Sequence, residues 1–146
     1  MSQANGWESS MDGYSLLLHA RFDGTSLAAV RHKVLDVAGR CRMSGDRLDD
    51  FVVAVNEVMT NVVRHGGGNG HLRLWRNSEL VCQVSDRGPG FEVAPVLRRR
   101  KPRPSSSGGL GLWMARRMSD KLTITSGPAG TTIGVHAYLG AGQRLR

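Results

Sequence analysis

Glu57, Asn61 and His65 stand at four-residue intervals in the stretch VVAVNEVMTNVVRHGGG, Val52–Gly68. Four residues is close to one helical turn, so on a helix the three side chains are neighbours. A carboxylate in such a row can accept a proton, and an amide oxygen can bind a hard cation. A solvated polar face is the plain alternative, and His65 can either meet a ligand or only cap the helix. At 100° per residue, Leu48, Phe51, Val52, Val55, Met59 and Val62 fall within a stripe about 100° wide, the expected core face. Glu57 and Asn61 fall roughly opposite it, with Asp50 and Ala54 beside them. The small Ala54 is taken as room for a ligand next to the pair. Gly66, Gly67 and Gly68 then stop the helix.

Three further motifs follow. DRGPG (Asp86–Gly90) ends a strand-like run. A carboxylate at a strand end can accept a hydrogen bond from an exocyclic amine, and Gly88 and Gly90 would let a flat ring approach the backbone. GGLGL (Gly108–Leu112) opens a helix, where backbone N–H groups and the helix dipole favour a phosphate. GPAGTTIGV brings Thr131 and Thr132 into a last strand. Each is weak alone, since glycine runs often serve as plain turns and linkers.

The elements that must position these residues follow from periodicity. YSLLLHARF (Tyr14–Phe22) reads as a strand and SLAAVRHKVLDVAGRC (Ser26–Cys41) as a helix. The next helix is expected to begin near Ser44–Asp46 with Ser44 or Asp46 as its cap. HLRLW and LVCQVSD are strands joined by a turn at Arg76–Glu79. LGLWMARRMSD is a short helix with Leu110, Trp113, Met114 and Met118 on one side. KLTITS and TTIGVHAYL are strands around a turn at Gly127–Gly130. The order strand, two helices, two strands, helix, two strands predicts an α+β fold. It would be a two-layer α/β sandwich with helices on one face of a mixed sheet.

Composition narrows the classes. A chain of 146 residues is about one domain, expected to run over 14–139 between a mobile polar arm (1–13) and a frayed tail (140–146). No apolar run approaches a membrane span, and the start lacks a basic segment followed by an apolar one. The chain therefore reads as cytoplasmic, with no membrane partner. Cys41 and Cys82 make neither a disulfide framework nor a zinc site, and Cys82 is expected to be a small buried hydrophobe. Net charge is +8, and the segment Glu92–Ser107 holds five basic residues and one acid, or +4 of it. Such a loop can grip DNA, an acidic protein or a nucleotide's phosphates, or simply be solvated. No aromatic platform lies among those arginines, so direct nucleic-acid binding is disfavoured.

The order of the motifs is more specific than any one of them. E-x-x-x-N-x-x-x-H on a helix, D-x-G-x-G after a strand, a variable loop, G-x-G at a helix start and G-T-T before a strand resemble the Bergerat ATP-binding fold of gyrase, histidine kinases and heat-shock ATPases. AVNEVMTNVVRHG, VSDRGPGF and GGLGLWMARRMSD look most like the short anti-sigma factor serine kinases of the bacterial switch-kinase type. The likeness spans about Leu16–Leu139. It implies a mostly antiparallel sheet covered on one face by about three helices, and ATP with Mg²⁺ as cofactors. It implies Asn61 as the Mg²⁺ ligand, Glu57 as the base that takes a proton from a serine hydroxyl, and Asp86 as the reader of adenine, supported by Thr131 or Thr132. Gly88, Gly90, Gly109 and Gly111, with Leu110 and Leu112 between and after the last two, would shape the adenine pocket and phosphate cradle. His65 would be a nucleotide contact, and Phe91–Ser107 the lid, mobile without ligand. The implied partners are a STAS-type anti-sigma factor antagonist and a sigma factor, with a homodimer as the assembly. No helical domain with a phospho-accepting histidine precedes these motifs, so a complete sensor kinase is not expected. The alternative is a nucleotide-binding module that sequesters a protein with little turnover.

Overall fold

The computed structural model describes residues 11–43, 45–91, 93 and 109–140. The expected arm up to residue 10, the Ser44 cap, most of the lid and the tail from residue 141 lie outside them. The strands are β1 (Ser15–Asp23), β2 (Asn69–Arg76), β3 (Glu79–Asp86), β4 (Lys121–Gly127) and β5 (Gly130–Tyr138). The helices are α1 (Leu27–Gly39), α2 (Gly45–His65) and α3 (Gly109–Met118). Their order along the chain is the expected one. The sheet runs β1-β2-β3-β5-β4, and the mostly antiparallel arrangement expected is antiparallel at every pairing.

Alternation decides which residues of each strand meet the helices. Leu72 and Leu74 of β2, Leu80, Cys82 and Val84 of β3, and Ile133 and Val135 of β5 are almost wholly buried against the helices. Cys82 is fully enclosed, and burial pushes its thiol pKa far above the usual range, so it is an inert filler of the core. Among the described residues no helix is long and apolar enough to cross a membrane.

The buried face of α2 is wider than the expected stripe. Phe51, Ala54, Val55, Val58, Met59 and Val62 are all buried. At 100° per residue they span an arc of about 140°. The reason is that α2 packs against the sheet and against both other helices. Ala54 is therefore core, not room left for a ligand, and Glu57 and Asn61 flank the buried arc instead of opposing it. Two polar links hold α2 in place. Arg31 Nη1 of α1 donates to Asn56 Oδ1 at 3.0 Å, and Arg47 Nη2 donates to Asp120 Oδ2 at 2.9 Å and to the Tyr138 carbonyl at 2.7 Å.

The α3 face also differs. Of the expected row Leu110, Trp113, Met114 and Met118, the structure packs Met118 on the core, but the buried residues are Leu112 and Ala115, and Leu110, Trp113 and Met114 are partly exposed. Small residues let α3 approach α2 closely, so the largest side chains are left on its flanks. Trp113 is partly exposed there, with the Arg117 guanidinium 5.3 Å from its ring centroid.

Candidate functional site

The C-terminal end of α2 meets the end of β3. The Val62 carbonyl accepts from the N–H of both Gly66 and Gly68, and Gly67 follows the helix at φ +95°, where glycine is favoured. This stop delivers Gly66 to the segment after β3. A Cβ on Gly88 would lie 2.8 Å from the Gly66 Cα and carbonyl carbon, and a Cβ on Gly66 would strike the Asp86 carboxylate. The two glycines thus allow backbone to touch backbone beside Asp86. The space next to Gly88 is filled by Gly66, and that next to Gly90 by the Gly127 carbonyl. Their smallness serves chain-on-chain packing at those two points. Gly66 was read only as a helix stop; its contact with Asp86 is visible only once α2 and β3 are brought together.

Asp86 is half-buried, and Asp86 Oδ1 accepts the Gly88 N–H at 2.7 Å. Desolvation raises its pKa above the ordinary carboxylate value, against backbone hydrogen bonds from Gly88 and Thr131 that pull it down. Such a carboxylate gains from one more N–H donor. Asp86 pairs directly with Thr131 across β3 and β5, so both side chains leave the sheet on the helix side. Thr131 is buried, and its hydroxyl lies 2.6 Å from Ser126 Oγ, which also accepts the Phe91 N–H at 3.0 Å. This chain ties the D-x-G-x-G segment to the β4–β5 hairpin, and Ser126 is a member that no motif signalled. Thr132 pairs with Ser85 and points to the opposite face of the sheet, so it cannot support Asp86.

The other end of the site lies where α2 meets the first turn of α3. A Cβ on Gly111 would come within 3.0 Å of Glu57 Oε1. The Glu57 carboxylate therefore looks at the start of α3, where backbone N–H groups are exposed. Glu57 and Asn61 are both partly buried on this flank, one turn apart. Gly109 and Leu110 complete the same turn. The Leu112 side chain is buried in the core, so only its backbone can serve a ligand. His65 is exposed at the last position of α2. From Glu57 to Gly66 the helix rises about 13 Å. The arrangement offers an elongated ligand a hydrogen-bond acceptor at one end and a helix N-terminus with a carboxylate and an amide at the other. Among the described residues no group of three or more His, Cys, Asp or Glu could cage a metal.

Residues 20–136 match the family described as histidine kinase-like ATPase domain. The chain belongs to that family. Curated relatives include the serine-protein kinase RsbW of Bacillus velezensis, 28% identical over 129 residues, which covers 80% of this chain and 79% of the relative. RsbW of Bacillus subtilis is 26% identical over 129 residues with the same shares. Among solved structures, a chain of the SiaB–SiaC complex from Pseudomonas aeruginosa superposes with a TM-score of 0.62 at 11% identity, over 91% of this chain and 96% of that one. The RsbU and RsbW domains of a Mycobacterium tuberculosis protein give a TM-score of 0.61 at 20% identity, over 84% of this chain and 31% of that longer one. Both structural likenesses speak for the fold.

Proposed function

We propose that this chain binds ATP with Mg²⁺ and transfers its terminal phosphoryl group to a serine of an anti-sigma factor antagonist, and that it regulates a sigma factor by sequestration. The observation that carries the reading is the Glu57 carboxylate held against Gly111 at the opening of α3, with Asn61 one turn on and Asp86 at the far end of the same helix. Asp86 accepts the exocyclic amine of adenine, which relieves a carboxylate that burial has made reluctant to ionise. The first-turn N–H groups from Gly109 to Leu112 receive the phosphates. The Asn61 amide oxygen is a hard donor suited to Mg²⁺. When bound, the cation neutralises charge on the transferring phosphoryl group. Glu57 takes the proton of the incoming serine hydroxyl. The curated relatives named serine-protein kinases support this reaction class.

The test is phosphoryl transfer from labelled ATP to small proteins that co-purify with the tagged chain. A labelled serine on a partner is the expected result. Binding of that partner and of ATP without any transfer would replace the kinase with the sequestering module.

A further inference from the structure

The sheet's other face carries a second polar concavity. Opposite the helices, at the end of the sheet where β3 finishes and β5 begins, lies a recess of about 660 Å³. Its lining includes Arg21 from β1, His71 and Arg73 from β2, Ser85 from β3, Arg87 just beyond it and Thr132 from β5. Strand register explains the gathering. Arg21 pairs with His71, His71 with Ser85 and Ser85 with Thr132, so the four positions form one row across four strands on one face. Arg73 stands two residues along β2 on the same face, and Arg87, just past the end of β3, lines the recess from the other side of the row. The His19 ring stacks on His71, with centroids 6.0 Å apart and planes 20° from parallel.

The one acid among the described lining residues, Asp86, does not neutralise this cluster. Its carboxylate is turned to the helix side, against Gly66 and the Gly88 N–H. Among the described residues neither Arg21 nor Arg87 is ion-paired. Burial first, and then the neighbouring Arg21, Arg73, His19 and Arg87, hold His71 below its ordinary pKa. Like charges on one face oppose folding unless an anion offsets them.

We infer that this recess is a binding site for a small phosphorylated ligand, separate from the nucleotide site on the helix side. The chemistry selects the ligand class. Each guanidinium presents a planar fork that suits phosphate oxygens. Arg21 and Arg87, neither ion-paired among the described residues, share the recess with the His71 imidazole, and a phosphoryl group brings up to two charges and three acceptors to them. Ser85 and Thr132 add neutral hydroxyl donors. The volume falls in the ordinary range for small-molecule sites, roughly 300–1,000 Å³. A second copy of this chain would bring the same positive face and be repelled.

Calorimetry with inorganic pyrophosphate at low ionic strength tests the site on the whole chain. Wild type should bind it, and the double variant Arg21→Ala/Arg87→Ala should lose roughly tenfold or more in affinity. Both arginines are exposed, so the double variant should keep its fold, checked by circular dichroism. Thr132→Val gives a second, milder reading in the same direction. No binding by wild type overturns the proposal. So does binding that the double variant keeps at wild-type affinity, because pyrophosphate would then occupy another site. Displacement of pyrophosphate by an acidic peptide or a single-stranded oligonucleotide at much lower concentration would also overturn it, in favour of a macromolecular occupant. None of these outcomes depends on whether ATP binds on the other side.

Discussion

Thr131 and Thr132 are neighbours in β5, yet they serve two different surfaces. Thr131 is buried on the helix side, bonded to Ser126 and level with Asp86. Thr132 faces the recess with His71 and Ser85. The helix side is built from small residues and backbone, so its geometry is set by contacts that leave no slack. The open side is built from long cationic side chains on a sheet, so its geometry is adjustable and its field is strong. A rigid site suits recognition of one base and alignment of a reacting group. A flexible cationic one suits charge recognition with little demand on shape.

The largest expected effect falls on the helix side. Glu57→Gln keeps the size of the side chain beside Gly111 and removes the proposed proton acceptor. Phosphoryl transfer should fall by about 10²–10⁴ while ATP affinity stays near wild type. Asn61→Ala should lose Mg²⁺-dependent affinity as well. Single-turnover transfer and calorimetry on the same preparations separate the two, and transfer by Glu57→Gln at the wild-type rate would remove Glu57 from the reaction.

Packing gives the next effect. A Cβ on Gly88 would meet Gly66 backbone atoms at 2.8 Å, and backbone cannot swing aside as a side chain can. Gly88→Ala should cost about 1–3 kcal/mol of stability. Thr132→Ala, on the other face, should change stability by less than about 0.5 kcal/mol. Chemical denaturation midpoints compare them directly, and equal midpoints would show that the helix side has slack after all.

These contrasts also explain what could be read from the sequence. Element order was legible because HLRLW alternates, LVCQV is a short strand-like run and the α1 and α2 segments carry helical periodicity. Glu57, Asn61, Asp86 and the glycines were legible as ordered motifs. The width of the α2 face was not, because periodicity marks the largest apolar residues and Ala54 is buried through its neighbours. The α3 face was misjudged for the same reason: Ala115 goes inside and Trp113 stays on the flank. The choice between Thr131 and Thr132 needs the register of β5 against β3, which no single strand contains. The basic recess was invisible because its residues come from four strands, whereas the contiguous arginines of the Glu92–Ser107 loop drew the charge argument to themselves.

A smaller contrast comes from the two threonines themselves. Thr131→Val removes the hydroxyl bonded to Ser126 and should cost about 1 kcal/mol, with weaker adenine-nucleotide binding as the Asp86 segment loosens. Thr132→Val should leave stability and nucleotide affinity unchanged and weaken only pyrophosphate. Thermal unfolding with and without each ligand reads all four numbers. A loss of nucleotide affinity in Thr132→Val would mean that the two faces are coupled through β5.

Acidification should separate the faces by sign, with the smallest amplitude. On the helix side, Asp86 has a pKa above the ordinary aspartate value. In the proposed site the adenine amine would donate to its ionised form, so bound nucleotide would lower that pKa. Nucleotide affinity is therefore full above the raised pKa of the free protein and declines as pH falls through it. On the open side the charged and titratable neighbours of His71 are His19 and Arg21 on β1, Arg73 on β2 and Arg87 after β3, and together with burial they hold its pKa low. Its row neighbours Ser85 and Thr132 are uncharged. A bound phosphate favours the imidazolium and raises the His71 pKa. Pyrophosphate affinity therefore rises as pH falls from the bound-state pKa toward the free-state one, and levels off below it. Each unit of difference between bound and free pKa is worth about tenfold in affinity. Calorimetry at a series of pH values, kept above the range where the fold itself titrates, should give two curves that diverge on acidification. His71→Ala should remove the rise in pyrophosphate affinity that comes from the imidazole and leave the nucleotide curve as it was. If both curves move together in that variant, the two surfaces share a titrating group and are not independent.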